Sequence, residues 1–437
     1  SSPAALVNLL GQIDGTRAPL HPLLLQGWLR LFGSSELAGR SFSALCGILT
    51  VLVAFMLGRR FFDDATGRWA AWFAAVCPPL VYYSQEARMY AWLVLVTCLS
   101  WLVFGEFRRW AGGITRLLYG TLLAALVYSH PVGLFMVAAH GLAYLIVRGS
   151  LQLRFRSWLV IQLGVLIAIA PWVPRYLDHG TDYPLPRYTI RFLFAVPIEY
   201  IGGNSAALLV CVLIIGMGFV ARKDLHLNLD LRVENLILLV WLTAVPVLMY
   251  TYSWIFRPIF GPPRYHLFIA PAYLILLARG LCKLTWPLRW TLAAGALWLS
   301  LQMIDANVYS QVVKADWRGL ARWLNQERAL QDAASADAPV TIAVHPSDAR
   351  FPQDEIHAAR YYLDDRHRVV PADRTGGDEV GKAHTPALEV YCLSAAQVRA
   401  GVREFPDTSF PAPLWQRATT SRHHELPEFY GLIVRRR

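Results

Sequence analysis

Apolar stretches of about 16 to 20 residues recur along this 437-residue chain with arginines and lysines set between them, and each has the length a helix needs to cross roughly 30 Å of hydrocarbon. About ten occur, near 41–58, 67–84, 89–107, 114–129, 132–147, 157–174, 205–221, 235–253, 264–281 and 288–304. With 55% hydrophobic and 16% charged residues the chain is more apolar than a soluble protein of its size. The expected fold is mainly α: a polytopic transmembrane helical bundle of about ten spans. Leu23, Leu24, Leu25, Trp28, Leu29, Leu31 and Phe32 form an apolar run too short to span, which suits a helix lying at the interface. A second interfacial helix is expected over 190–201, inside the long loop 175–204.

The net charge of +11 raises the question of nucleic acid, but the basic residues alternate by loop instead of forming one patch. Arg59, Arg60 and Arg68 lie in one loop; Arg108, Arg109 and Arg116 in a second; Arg148, Arg154 and Arg156 in a third. Arg222, Lys223 and Arg232 follow, then Arg279, Lys283 and Arg289. The positive-inside bias makes these loops cytoplasmic, so the first forty residues, the alternate loops and the C-terminal tail face outside.

After residue 305 the composition becomes that of a soluble domain. Helical spacing over 316–326, strands over 340–344 and 388–393, and helices over 355–363 and 395–405 predict a C-terminal soluble α/β domain. The division is a membrane domain, 1–305, and an extracytoplasmic domain, 306–437. Cys46, Cys77, Cys98, Cys211, Cys282 and Cys392 show neither a disulfide framework nor a Cys/His metal spacing. The first twenty residues lack a basic start followed by an apolar core, so no cleavable signal peptide is visible, and Ser1 in place of Met suggests a further segment upstream.

On this topology the polar features gather at external ends of the spans: His21-Pro22, the stretch from Tyr82 to Tyr90, Ser129-His130-Pro131, Arg257 and Arg264-Tyr265-His266. Ionisable groups beside hydrocarbon are costly and persist mainly where they pair or serve a site. Several arginines, two or more histidines and a carboxylate at one membrane face suit an anionic lipid headgroup and a polar acceptor, because guanidinium makes bidentate, charge-assisted bonds to phosphate. Glu86 is a candidate general base, metal ligand or acceptor for substrate hydroxyls, or else the ion-pair partner of Arg88. His21 reads as a substrate contact or as an interfacial histidine before a helix begun by proline, and His130 as a binding residue or a turn residue. Arg257, Arg264 and Tyr265 read as phosphate holders or as ordinary interfacial anchors. In the tail, Trp317 reads mainly as a domain-core residue, and Tyr361-Tyr362 carries no further assignment.

At these residues the chain resembles the C-type membrane glycosyltransferases that use polyprenyl-phosphate sugars, the group including protein O-mannosyltransferases and the lipid A aminoarabinose transferase. The matching pieces are His21-Pro22-Leu23, Tyr83-Ser84-Gln85-Glu86-Ala87-Arg88-Met89-Tyr90, Ser129-His130, Arg264-Tyr265 and Asp316-Trp317-Arg318. The resemblance implies inverting sugar transfer from a polyprenyl-phosphate donor on the external face of the bacterial cytoplasmic (inner) membrane, with a carboxylate of the first external loop as base. The residue reading and the resemblance together put Glu86 and His21 at the catalytic centre and Tyr83, Gln85, Arg88, His130, Arg257, Arg264 and Tyr265 around the substrate. The resemblance implies no certain cofactor, leaves a divalent metal open, and names membrane lipids but no nucleic acid as partners; sugar and acceptor stay unassigned.

The family has a first spanning helix and an acidic site upstream of His-Pro, whereas here Asp14 is the sole acid before His21 and Leu23 replaces the second proline. The expected first-loop base is thus not among these residues, and Glu86 reads as a supporting acid. The rival reading is a non-catalytic membrane subunit that keeps the fold without the base. A transporter is disfavoured because the ionisable residues sit mostly at span ends and not within them.

Overall fold

Two helices begin where the sequence supplies a side-chain cap before an apolar run. The computed structural model describes residues 18–178, 189–190, 196–198, 200, 205–223, 226–256, 258–261 and 263–305, with strands at 340–345, 367–371, 388–392 and 432–436. Helix α1 (Leu20–Phe32) leads into α2 (Glu36–Phe61), where the Ser35 side chain accepts from the Ala38 N–H at 3.1 Å. Glu36 in the first turn of α2 and Arg59 and Arg60 in its last complement the helix dipole. Asp63 caps α3 (Asp64–Val76) in the same way, accepting from Thr66 N–H at 2.7 Å.

The apolar stretch 67–84 does not run as one helix. Pro78 and Pro79 lack the amide donors a continuous helix needs, so α3 stops at Val76 and α4 (Pro78–Ser84) restarts with its prolines in the first turn. Beyond it come α5 (Tyr90–Glu106), α6 (Gly113–Ser129), α7 (Gly133–Val147), α8 (Phe155–Ile169), the short α9 (Val173–Asp178) and α10 (Ser205–Gly218). A two-stranded antiparallel ribbon, β1 (Val220–Lys223) and β2 (His226–Leu229), fills what the sequence suggested was a plain basic loop. Helix α11 (Val233–Ile255), a 3-10 segment (Pro263–Ile269), α12 (Ala270–Leu281) and α13 (Trp286–Ile304) complete the first unit, Ser1–Ala306.

Among the described residues three helices are long and apolar enough to cross a membrane: Glu36–Phe61, Gly133–Ser150 and Val233–Ile255. The stretches expected at 89–107, 114–129, 157–174 and 205–221 form shorter apolar helices, Tyr90–Glu106, Gly113–Ser129, Phe155–Ile169 and Ala206–Gly218. Outward apolar side chains such as Ile48, Leu117, Val160, Ile167 and Leu213 belong against lipid, since a water-exposed surface seldom carries so much contiguous apolar area.

The interior is held by rings and by close backbone approach. Trp101 of α5 stacks on His140 of α7 at 3.8 Å and on Trp241 of α11 at 5.4 Å, while Trp241 donates to Phe268 O at 3.0 Å. A Cβ on Gly58 would stand 2.8 Å from Gly67 Cα, so glycine at both positions lets α2 and α3 touch. Gly280 is tighter still, with Ile214 O 1.7 Å from where its Cβ would be, which locks α12 against α10.

In the second unit, Asn307–Arg437, the described strands β3 (Val340–His345), β4 (His367–Pro371), β5 (Leu388–Cys392) and β6 (Leu432–Arg436) form one sheet in the order β4-β3-β5-β6. β3 pairs in parallel with β4 and β5, and β6 is antiparallel to β5. Strands β3 and β5 fall where alternation placed them, whereas the expected helices, Trp317 and Tyr361-Tyr362 lie outside the described residues.

Candidate functional site at the Tyr82 to Tyr90 turn

The turn between α4 and α5 folds the polar stretch back on itself. Gln85 N–H bonds Tyr82 O at 3.1 Å, Glu86 N–H bonds Tyr83 O at 3.4 Å and Arg88 N–H bonds Glu86 O at 2.7 Å. This compaction sets the Tyr83 ring edge-on to Tyr82 and tilted against Tyr90, at 5.0 and 4.9 Å between centroids. Tyr82 donates its phenolic hydrogen to the Glu86 carboxylate, and Arg88 lies within electrostatic range of Tyr82 and Tyr90.

Arg264 arrives from the 3-10 segment and faces these rings. It interacts with Tyr83 and Tyr90, hydrogen-bonds Tyr265, and holds its guanidinium carbon 5.3 Å from the Tyr265 ring centroid. Its Nε is buried without a hydrogen-bond partner among the described residues. A guanidinium surrounded by phenols, with a donor to spare, has the chemistry of an anion site.

His130 closes the group from a third element. It caps the C-terminus of α6 in extended conformation, accepts from Val132 N–H at Nδ1 over 3.1 Å, and brings its ring to 6.0 Å from Tyr265. Desolvation brings its pKa down to about 4, so the imidazole is neutral near pH 7. Trp92, in the first turn of α5, donates to Ser129 Oγ at 2.8 Å and so fixes the distance between the His130 turn and the tyrosine turn.

His21 stands farther back. It is buried against Phe42 at 5.8 Å, and Phe42 in turn meets Trp92 at 6.1 Å. Burial lowers the His21 pKa to about 4 as well, and its Nε2 has no partner among the described residues. The structure thus brings Tyr83, Glu86, Arg88, Arg264, Tyr265 and His130 into one neighbourhood, with Gln85 as the C-cap of α4. His21 joins it through rings, and Arg257 lies outside the described residues.

Two members of the cluster carried no assignment in the sequence. Tyr82 bonds the carboxylate and Tyr90 faces Arg264. Both sat in the quoted stretch, and the clue was that phenols flank its acid on each side. His266, the third residue of its motif, turns inward against Phe260 at 4.6 Å. Among the described residues no three of His, Cys, Asp and Glu gather as a metal site.

Residues 16–176 match the family model described as dolichyl-phosphate-mannose-protein mannosyltransferase. No curated protein matches the chain. Among solved structures, ArnT from Cupriavidus metallidurans bound to undecaprenyl phosphate is 14% identical with a TM-score of 0.55, covering 97% of this chain and 88% of that one. The apo state of the same protein is 15% identical with a TM-score of 0.56 over the same shares. The resemblance to C-type membrane glycosyltransferases that use polyprenyl-phosphate sugars therefore stands on a family match over 16–176 and on a fold shared along nearly the whole chain.

Proposed function

We propose that this protein is a multi-pass glycosyltransferase of the bacterial inner membrane that moves a sugar from a polyprenyl-phosphate donor to an acceptor on the extracytoplasmic face. The observation that carries the reading is Arg264, set among Tyr83, Tyr90 and Tyr265 with a buried Nε lacking a partner among the described residues. A phosphate placed there receives charge-assisted bonds from the guanidinium. As the sugar C1–O bond breaks, charge accumulates on the departing lipid phosphate, and a fixed cation lowers the energy of that step.

The acceptor hydroxyl attacks C1 from the opposite face and gives its proton to a carboxylate. In this reading Glu86, already held by Tyr82, supports the acceptor side, and Arg88 and Gln85 border the same turn. His130 and His21 take part as neutral imidazoles that hydrogen-bond sugar hydroxyls without adding charge. Arg257 is a further phosphate contact in the same proposal. The segment 306–437 is an extracytoplasmic α/β domain on this reading.

The test is transfer by the full chain in detergent from labelled polyprenyl-phosphate sugars, comparing wild type with Arg264→Ala and Glu86→Gln. Loss of transfer in Arg264→Ala supports the assignment, and unchanged transfer in both variants removes it. A wild-type protein that retains the labelled lipid but transfers nothing fits the non-catalytic subunit.

A further inference from the structure

A second feature lies at the other end of α6. Helices α6 and α8 pack side by side and leave between them a groove of about 710 Å³. Its length is walled by Gly120, Val160 and Gly164, and its mouth by Arg116, Arg156 and Ser157. Arg116 bonds Ser157 Oγ at 3.4 Å and Gly112 O at 3.3 Å, and neither arginine pairs with an acid among the described residues.

The position of these arginines is electrostatically odd. Both stand in the N-terminal turns of their helices, where the dipole is positive, and neither helix has an acid in its first turn. Two positive helix ends and two guanidiniums converge, and among the described residues no acid pairs with either guanidinium. Below the mouth the flanks are outward apolar side chains, Leu117 and Leu163 among them, of the kind that face hydrocarbon.

We propose that this groove binds an anionic phospholipid, with the phosphate at Arg116, Arg156 and Ser157 and an acyl chain along Gly120 and Gly164. Basic pockets between spanning helices at a membrane face recognise acidic headgroups in this way. The occupant is a phospholipid of the surrounding leaflet and not the sugar donor. Arg116 and the His130 turn lie at opposite ends of α6, roughly 20 Å apart at 1.5 Å per residue, so one phosphate does not serve both.

The experiment is native mass spectrometry of the full chain in detergent, titrated separately with phosphatidylglycerol, phosphatidylcholine and a polyprenyl phosphate. Wild type is expected to retain phosphatidylglycerol about tenfold better than phosphatidylcholine, the size of one or two charge-assisted bonds. The paired change Arg116→Gln and Arg156→Gln removes that preference. Gly164→Leu separates the groove from the charges: a Cβ at Gly164 meets nothing within 4 Å, so the side chain fills the groove without disturbing the helix and lowers retention of phosphatidylglycerol. Equal preference in the wild type and the paired variant overturns the proposal, as does a paired variant that loses polyprenyl phosphate while keeping phosphatidylglycerol. Neither result bears on transfer at Arg264, which the labelled-sugar assay reads independently.

Discussion

The two ends of α5 hold arginines in opposite company. At the Glu106 end four arginines are matched by acids: Arg108 pairs with Glu234, Arg60 with Glu106, Arg279 with Asp63 and Arg232 with Asp230. Asp63 shows the result, since burial raises its carboxyl pKa but the Thr66 N–H and Arg279 outweigh that and hold it below the usual range. At the Tyr90 end Arg264 is met by phenols, whose rings lie close and which accept its hydrogen bond at Tyr265 but carry no charge. An arginine with a carboxylate is already neutralised and holds helices together; one among tyrosines keeps its positive field for something that comes and goes.

The largest effect that breaks this contrast is expected at Arg264. Arg264→Ala should lower transfer by about a hundredfold or more, as removal of a preorganised charge from a reacting phosphate does. Arg264→Lys should recover part of it, because ammonium keeps the charge and loses the fork. Thermal stability in detergent should barely move. If Arg264→Ala unfolds the protein instead, Arg264 belongs with the structural arginines of the other end.

Glu234 gives the mirror-image result. Glu234→Gln leaves Arg108 without its charge partner in a site where the acid is nearly buried and the base partly exposed. The loss should be about 2 kcal/mol, between the values for surface and buried pairs, read as a lower midpoint of thermal unfolding. Transfer per folded molecule should be unchanged. A transfer defect at unchanged stability would erase the distinction between the ends.

Glu86 is expected to give a smaller effect on transfer than Arg264. Glu86→Gln keeps the shape and the acceptor oxygen for Tyr82 but removes the charge, and should slow transfer about tenfold, less than the roughly hundredfold or more expected for loss of the base itself. A loss as large as that of Arg264→Ala would make Glu86 the base itself and end its reading as a supporting acid.

How much of this was legible in the sequence differs between the ends in the same way. The Tyr82 to Tyr90 stretch announced itself because its acid, bases and phenols interrupt apolar runs, and that local contrast needs no fold. Arg264 and His130 were found by their places at the ends of apolar runs, but that they meet through Tyr265 depends on helix packing no spacing reveals. The helix boundaries were less legible. Hydropathy alone joined 67–84 into one stretch, although Pro78 and Pro79 carry the signal that divides it. The pairings Arg108 with Glu234 and Asp63 with Arg279 link residues far apart in sequence, and nothing in either neighbourhood names the partner.

The substitution expected to change least at neutral pH is His21→Gln, and its pH dependence tests whether His21 is part of the site's wall or of its chemistry. The His21 pKa falls from 6.5 to about 4 because burial against Phe42 disfavours the charged ring. The unfolded state therefore binds a proton that the folded state refuses between those values, and stability rises with pH across the window. As pH falls from about 6.5 to about 4, thermal stability should decline, by at most about 3 kcal/mol at 1.36 kcal/mol per unit. His21→Gln should flatten that decline while leaving the neutral-pH midpoint within about 1 kcal/mol. If transfer also persists in His21→Gln, His21 is a wall residue that packs the approach to Trp92. If transfer falls while the pH slope flattens as expected, the ring contacts substrate, and the site extends from Arg264 through Trp92 to α1.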